Sequence, residues 1–285
     1  MHKDEDDGSF ISPVRISLVA NRPILATSPN YVLSNKCTAN LKQLIIFNRK
    51  FQQFANSCDI ADNIIATLWC EKDEKFYLLT EDQIFTYDPS LLLLETVSSI
   101  QKEKGEYWKS FALERSQSIL FIAYNQWGSK YIDTWKEDPN DGSWKNAGKY
   151  LIDLTDNECI EMILVFNEDD VFKIAMTIYN AYFGEWRLEI RDENSSCLKK
   201  IKLPGSDSEL DYRMVLIGNN KLDMEWLIYS PKNKGMVTID KNDGITERNY
   251  RFPISEMAQF EKKNLIIRTK RLICGYSYER SFSDL

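Results

Sequence analysis

The chain has 285 residues, 43% of them hydrophobic and 28% charged, with a formal net charge of −7. That apolar content can bury a sizeable core, which excludes a disordered chain. The acidic balance argues against a protein that grips nucleic-acid phosphates, so we expect no nucleic-acid partner. The longest apolar runs fall well short of the ~20 residues that span a bilayer, so we expect no membrane association.

The first residues and the cysteines indicate an intracellular protein. Residues 1–10 are acidic and lack the apolar segment of a secretory signal, so we interpret them as a disordered tail before a single domain over residues 11–285. The six cysteines form no CxxC pair, and their irregular spacing is typical of reduced thiols. We therefore predict a cytoplasmic location.

From residue 11 onward the chain has the texture of β-strands joined by turns. Short runs rich in Ile, Val, Leu, Tyr, Phe and Trp are separated by Asn, Asp, Gly, Lys and Pro. The best helix candidate, Pro89–Lys102, reads equally well as a strand because it contains Thr96 and Val97. The pattern therefore predicts an all-β fold.

A unit of four strands recurs along the chain. The second unit shows it best, with strands over Asn63–Cys70, Phe76–Thr80, Gln83–Asp88 and Leu91–Ile100. Third strands end in Asp or Asn, and the ends at Asn48 and Asp192 are three units apart, which gives a period of about 48 residues. Six such units account for the chain.

The sixth unit lacks a fourth strand, whereas an unassigned strand, Val14–Ala20, precedes the first unit. A strand from the opposite terminus can complete the last blade of a ring, and blades stacked in a ring bury both of their apolar faces. We therefore predict a six-bladed β-propeller of four-stranded blades, with the last blade closed by the N-terminal strand. The alternative, a β-sandwich or a pair of β-domains, explains neither the repeat, nor the unassigned first strand, nor the incomplete sixth unit.

Third strands that end in IFTYD, LEIRD and MVTID carry a family resemblance. They resemble the third strands of NHL-type and WD-repeat-like propellers, over nearly the whole chain, and the divergent C-terminal propellers of TRIM-like proteins. The resemblance implies a platform that binds protein partners. It carries over no catalytic residue.

Residues that could support catalysis are scarce. The only histidine is His2, in the predicted tail, which removes Ser-His-Asp and Cys-His catalysis and histidine-based metal sites. We therefore expect a non-enzymatic interaction module with no catalytic residue, metal or cofactor. One alternative is a structural subunit of a larger complex. The other is a six-bladed hydrolase with a metal in its axial channel, whose candidate ligands start the inner strands: Asp62, Asn63, Asp156, Asn157, Glu158 and Asp211.

Large aromatic residues in two loops are the best candidates for a binding surface. Trp127 follows the second strand of the third unit, and Tyr182 and Phe183 follow that of the fourth. Loops of adjacent blades open on the same face, and aromatic side chains are enriched in interface hot spots. We predict that these residues anchor an unidentified protein partner, and the alternative is that they fold back over the blade edge. The sequence does not predict the oligomeric state.

Overall fold

The computed structural model describes residues 15–17, 24–38, 41–48, 52–60, 62–103, 105–114, 116–168, 171–205, 211–217, 225–231, 235–240, 242, 244–249, 254–260, 264–269 and 273–277. The predicted acidic tail and His2 lie outside these residues. Within them the secondary structure is entirely β, and the segment Pro89–Lys102 contains a short strand rather than a helix. Accordingly, this part of the chain offers no apolar helix of membrane-spanning length.

The described residues form 24 strands in six four-stranded sheets, which we number in chain order. Sheet 1 contains β2 (Ile24–Thr27), β3 (Tyr31–Thr38), β4 (Leu41–Asn48) and β5 (Gln53–Asp59). Sheet 2 contains β6 (Ile64–Cys70), β7 (Lys75–Thr80), β8 (Ile84–Asp88) and β9 (Leu93–Thr96). Sheet 3 contains β10 (Trp108–Glu114), β11 (Ile119–Tyr124), β12 (Tyr131–Glu137) and β13 (Trp144–Leu151).

Sheets 4 to 6 complete the fold. Sheet 4 contains β14 (Glu158–Glu168), β15 (Val171–Asn180), β16 (Glu185–Arg191) and β17 (Cys197–Leu203). Sheet 5 contains β18 (Arg213–Ile217), β19 (Glu225–Tyr229), β20 (Gly235–Ile239) and β21 (Ile245–Asn249). Sheet 6 contains β22 (Ile254–Phe260), β23 (Asn264–Thr269), β24 (Ile273–Ser277) and β1 (Arg15–Ser17).

Sheet 6 joins the two ends of the described chain. In sheets 1 to 5 the strands pair in chain order, whereas sheet 6 has the order β1-β24-β23-β22. The strand β1 runs antiparallel to β24, with Arg15 opposite Gly275 and Ser17 opposite Ile273. The strand that the sequence leaves over before the first unit is therefore the outer strand of the last sheet.

The first strands of the sheets lie next to one another around a common axis. The contacts run β2–β6–β10–β14–β18–β22, and β22 also contacts β2. Hydrogen bonds tie neighbouring sheets together, such as those from the Thr67 hydroxyl to the Leu25 carbonyl and from the Met257 amide to the Tyr229 hydroxyl. Apolar cores fill the space between adjacent sheets. The predicted all-β propeller with four-stranded blades is thus confirmed.

The Asp or Asn that marks the repeat closes the turn after the third strand. Its side-chain oxygen accepts a hydrogen bond from a backbone N–H two to four residues further on, as short polar side chains do in turns. The pairs are Asn48 with Gln52, Asp88 with Ser90, Asp138 with Asn140, Asp192 with Asn194, and Asp240 with Asn242, at donor–acceptor distances of 3.0, 2.8, 2.9, 2.9 and 2.7 Å. The visible sequence repeat is therefore a turn repeat.

A second repeat lies in the first strands. Five of them carry a β-bulge at the same point, where the pairing with the second strand skips one residue. The skipped residues are Leu25, Ile65, Lys109, Glu161 and Ser255. The strand β18 pairs without a bulge, and Arg213 holds the equivalent place because it follows the buried Tyr212.

Candidate functional site

The bulge positions line the axis of the propeller. In sheet 3, Trp108 and Ser110 are buried, whereas Lys109 between them is partly exposed. In sheet 5, Arg213 is exposed between the buried Tyr212 and Met214. Because the first strands are the innermost strands and contact each other, an exposed side chain at these positions faces the axial channel. A bulge re-aims a side chain in this way.

Charged side chains from three successive sheets meet in this channel. The Lys109 Nζ lies 2.7 Å from the Glu161 Oε1, and the Arg213 Nη2 lies 3.4 Å from the Asp211 Oδ2. The carboxyl groups of Glu161 and Asp211 lie close enough to each other that their titrations are linked. The result is a continuous chain of contacts, Lys109–Glu161–Asp211–Arg213, which we call the channel cluster.

The two carboxyl groups of the channel cluster titrate in opposite directions. Burial, followed by the hydrogen bond and charge of Asp211, raises the pKa of Glu161 to about 7. Burial also opposes the ionisation of Asp211, but the hydrogen bond from Glu161 and the charges of Arg213 and Lys109 outweigh it and lower the pKa of Asp211. The pair therefore holds one proton on Glu161 below a pH of about 7, and Glu161 loses this proton as the pH rises through that value.

Asp211 occupies a strained position. Its φ of 49° lies in the left-handed region, which non-glycine residues seldom adopt. The neighbouring Tyr212 fixes the backbone here, since its hydroxyl donates to the Pro204 carbonyl at 2.5 Å and its own carbonyl accepts from the Thr177 hydroxyl at 2.9 Å. The Asp211 Oδ1 is buried and has no hydrogen-bond partner among the described residues. This oxygen can accept a hydrogen bond from a ligand.

Sheet 6 carries an ion pair whose acidic partner directly follows the bulge residue Ser255. The Arg268 Nη1 lies 2.8 Å from the Glu256 Oε1, and both side chains are mostly buried. The Arg268 Nε is buried without a hydrogen-bond partner in the described part of the chain. Buried polar atoms of this kind call for an explanation, and a bound ligand or water supplies one.

The residues predicted as metal ligands do not come together. Of these residues only Asp211 belongs to the channel cluster, while the Asn63 amide donates to Glu81 at 2.8 Å. Glu158 pairs with Arg187, which also contacts the fully buried Glu189. Nowhere in the described ranges do three His, Cys, Asp or Glu side chains group as metal ligands. Lys109 and Arg213 already neutralise the channel carboxylates, so this donor set does not fit a divalent cation.

The predicted aromatic anchors are exposed. The exposed fractions are 51% for Trp127, 75% for Tyr182 and 66% for Phe183. Trp127 still contacts Tyr179, with ring centroids 6.2 Å apart, while the Asn180 side chain accepts hydrogen bonds from the amides of Tyr182 and Phe183 at 3.0 and 3.1 Å. Their predicted role in binding a protein partner stays a prediction.

The aromatic loops lie at the end of the sheets where the first strands begin. The Gly128 amide donates to the Glu158 carbonyl at 2.8 Å, and the Ala181 amide donates to the Asn157 carbonyl at 2.8 Å. Gly128 has a φ of 65°, and a Cβ there would approach the Asp156 Cα to 3.0 Å, so the loop needs glycine at this point. Trp127, Tyr182 and Phe183 therefore lie at the end of sheets 3 and 4 where the first strands begin, which is also the end that carries Lys109 and Glu161.

Solved structures with this architecture include enzymes that are named as lyases. The virginiamycin B lyase of Staphylococcus aureus shares 11% identity with this chain at a TM-score of 0.56, covering 93% of this chain and 82% of its own. A streptogramin B lyase shares 8% identity at a TM-score of 0.58, and the match covers 95% of this chain and 96% of the lyase. The oligogalacturonate lyase of Vibrio parahaemolyticus shares 11% identity at a TM-score of 0.51, and the match covers 94% of this chain and 76% of the lyase. No protein-family model matches, and neither does any curated protein.

The comparison corrects the predicted function. We expected a non-enzymatic interaction platform, but the solved propellers that match this chain over more than nine-tenths of its length include lyases. The inference from architecture and histidine count to a non-enzyme was therefore wrong. The likeness itself shows the fold, so the chemistry has to be argued from the residues of this chain.

The sequence interpretation missed three of the four residues in the channel cluster. It selected Asp211 but sought its partners among residues that begin the inner strands, and it passed over Lys109, Glu161 and Arg213. A signal was present, because each of these three follows a large residue that is buried at the start of a first strand. Aligning the units on their first strands instead of on their third-strand turns would have found them.

Proposed function

We propose that this protein is an enzyme with a six-bladed, closed propeller, in which the channel cluster catalyses an elimination next to a carbonyl or carboxylate group. Glu161 takes up the proton from the carbon atom, and Lys109 and Arg213 stabilise the negative charge that develops. The observation that carries the proposal is the chain of contacts in the channel cluster, which places two carboxyl groups between two cationic side chains.

Glu161 is suited to act as a general base near neutral pH. A base works best when its pKa lies near the working pH, because it is then both available and strong enough to take the proton. An ordinary glutamate is too weakly basic for a carbon acid, whereas burial and the neighbouring Asp211 raise the pKa of Glu161 to about 7. Perturbed carboxyl groups of this kind cluster at catalytic sites.

Lys109 and Arg213 supply the electrostatic part of the reaction. Removing a proton next to a carboxylate leaves an enolate-like anion, which cations fixed in place stabilise without reorganisation. The electron pair of the broken C–H bond forms the new C=C bond, and the leaving group departs with its own bonding pair and takes a proton from solvent. Glu161 later returns its proton to solvent, so the protein is unchanged.

The structural neighbours are named as lyases, which supports the reaction class. One neighbour is a catalytically inactive histidine-to-alanine variant of the Staphylococcus aureus enzyme, determined with quinupristin. In this chain the only histidine is His2. In this chain a carboxyl base with a raised pKa would perform the proton transfer.

The test compares wild-type protein with Glu161→Gln on oligogalacturonate and quinupristin. An elimination beside a carboxylate creates a conjugated double bond that absorbs ultraviolet light, and we expect its rate to rise with pH through about 7. Loss of the base should lower the rate roughly 10²–10⁴-fold. The matched control is Glu95→Gln, an exposed glutamate on β9 outside the channel, which should retain the wild-type rate.

A second measurement does not depend on the choice of substrate. Carbon-13 NMR titration of the glutamate carboxyl groups, assigned with the Glu161→Gln variant, reports the pKa of Glu161 directly. A value near the ordinary glutamate pKa of ~4.3 would overturn the proposal. Equal rates of product formation by the wild type and Glu161→Gln would overturn it as well.

We retain the resemblance to NHL-type and TRIM-like propellers as a proposal about descent. It rests on the third-strand endings IFTYD, LEIRD and MVTID, which close turns on the outer part of the sheets. These turns are far from the channel in each sheet, so the resemblance is compatible with a catalytic channel.

A further inference from the structure

The bulge positions divide the channel into two chemically different sides. Sheets 3, 4 and 5 place Lys109, Glu161 and Arg213 there, while sheets 1 and 2 place Leu25 and Ile65. The sixth position holds a small polar residue, Ser255 on β22. Because equivalent positions on neighbouring first strands are adjacent around the axis, the polar residues form one arc of the ring and the apolar residues form the other.

Ile65 is the exposed member of the apolar arc. It is 37% exposed, although its neighbours Ile64 and Ala66 pack against the cores between the sheets. Leu25 is partly buried against the core between sheets 1 and 2, and the hydrogen bond from the Thr67 hydroxyl to its carbonyl fixes the two strands side by side. An isoleucine turned into a polar channel loses apolar contact unless a ligand covers it.

The polar arc has a preference for anions. Lys109 and Arg213 are cations and Asp211 is an anion, and Glu161 contributes no charge while it holds the shared proton. The sum over the channel cluster is then one positive charge, in a chain whose net charge is −7. Both cationic side chains keep part of their surface exposed, which leaves them able to contact a ligand.

We infer that the channel binds an amphiphilic carboxylate, with the carboxylate on Lys109 and Arg213 and the apolar body against Ile65. This inference rests on the proposed function for the choice of the channel as the site, and it adds the substrate class. The first strands β6 and β10 are in contact, so Ile65 and Lys109 lie on neighbouring strands and one small molecule can reach both. An acid with an apolar substituent is therefore favoured over a sugar polymer as the natural substrate.

The test measures the binding of acetate, butanoate, hexanoate and octanoate to the whole protein by isothermal titration calorimetry below pH 7. Each added methylene that becomes buried should raise the affinity by up to about fourfold, since burying a methylene contributes ~0.8 kcal/mol. Octanamide, which lacks the charge, should bind at least tenfold more weakly than octanoate. These ratios distinguish a two-sided site from a simple anion site.

Two variants localise the apolar contact. Ile65→Thr should remove most of the dependence of affinity on chain length, while leaving acetate binding unchanged. The matched control is Ile245→Thr on β21, an isoleucine with a similar exposed fraction of 45% outside the channel, which should behave as wild type. Because both side chains are partly exposed, both variants are expected to fold, and their thermal midpoints check this.

The outcomes separate this inference from the proposed function. Equal affinities for acetate and octanoate, or equal effects of Ile65→Thr and Ile245→Thr, would overturn the amphiphilic site. Binding of octanoate that depends on Ile65 supports the inference even where Glu161→Gln leaves the turnover of every tested compound unaffected, and that second result would overturn only the catalytic proposal.

Discussion

Glu161 and Asp211 illustrate how one site can keep two carboxyl groups close together. Two ionised carboxylates at hydrogen-bond distance repel strongly in a partly buried channel, and a single shared proton removes most of that repulsion. Asp211 is the group that stays ionised, because the hydrogen bond from Glu161 and the nearby positive charges lower its pKa, while Glu161 is the more deeply buried of the two side chains. The strained backbone of Asp211 is a cost of holding the pair in this arrangement.

Asp211→Asn tests the electrostatic coupling. Removing the negative charge of Asp211 removes a cause of the raised pKa of Glu161, which should fall toward its ordinary value. The rise of elimination rate with pH should then move to lower pH, and the rate at high pH should fall because the base is weaker. The carbon-13 titration of Glu161 and the pH–rate profile measure the two effects separately.

Arg213→Gln provides the complementary control for that experiment. Loss of the Arg213 guanidinium should raise the pKa of Asp211, since the charge of Arg213 is one cause of the lowered pKa of Asp211. Unchanged titration of Glu161 in Asp211→Asn would contradict the coupling, whatever the effect on turnover.

The residues of the site were the part of the molecule that the sequence predicted least well. Asp211 stands out as an acid in a polar loop, but Glu161 sits inside an apolar run, Ile160 to Phe166, where it looks like an ordinary strand residue. Lys109 likewise looks like a solvent-facing residue of an alternating strand. Nothing local reveals that a bulge turns both side chains toward one axis, because the bulge is a property of the pairing between strands.

At the level of the strands and turns, the prediction was close. Strands such as β6 and β8 begin or end within one residue of the predicted limits, because runs of branched and aromatic residues bounded by turn residues are strong signals. The turns themselves repeat for a physical reason, which is that Asp and Asn side chains satisfy the backbone amides that a tight turn leaves without partners. The repeat could therefore be recognised from the sequence alone.

Asp192→Ala tests the contribution of one of these turns to stability. The Asp192 Oδ1 accepts from the amides of Asn194 and Ser196 at 2.9 and 2.8 Å, and their loss should lower the free energy of unfolding by about 1–2 kcal/mol. Asp192→Asn keeps the acceptor, as Asn48 does in sheet 1, and should stay within about 0.5 kcal/mol of the wild type. Urea denaturation measures both, and equal losses in the two variants would show that charge rather than the hydrogen bonds stabilises the turn.

For the whole molecule, the closure of the ring depends on a short strand. The strand β1 contributes three residues, Arg15–Ser17, yet it is the only described strand that pairs along the outer side of β24. Without it β24 would present a row of unpaired backbone groups at the edge of the sheet. The propeller fold was predictable because the unassigned N-terminal strand could supply the fourth strand that the sixth unit lacks.

Deletion of residues 1–20 tests this closure. We expect a lower thermal midpoint and concentration-dependent aggregation, because β24 becomes an exposed edge. Deletion of residues 1–10 removes only the predicted acidic tail and should leave the midpoint unchanged. Calorimetry and light scattering report the two effects, and identical behaviour of the two truncated proteins would contradict a closing role for β1.

The activity could not be predicted at this scale, since a propeller is a scaffold on which binding proteins and enzymes are both built. The absence of a histidine from the predicted domain looked like evidence against catalysis. It excluded particular catalytic arrangements, however, and said nothing about a glutamate whose basicity is created by its surroundings.

The bulge shared by five first strands has a consequence for how such a protein can diversify. A residue in the regular ladder is constrained by its cross-strand partner, whereas each bulge residue is skipped by the pairing and can be exchanged without disturbing it. Each of these five blades thus offers one exchangeable position that faces a common axis. Point substitutions at Leu25, Ile65, Lys109, Glu161 and Ser255 would let evolution, or a combinatorial library, reprogram the chemistry of the channel while the scaffold around it stays the same.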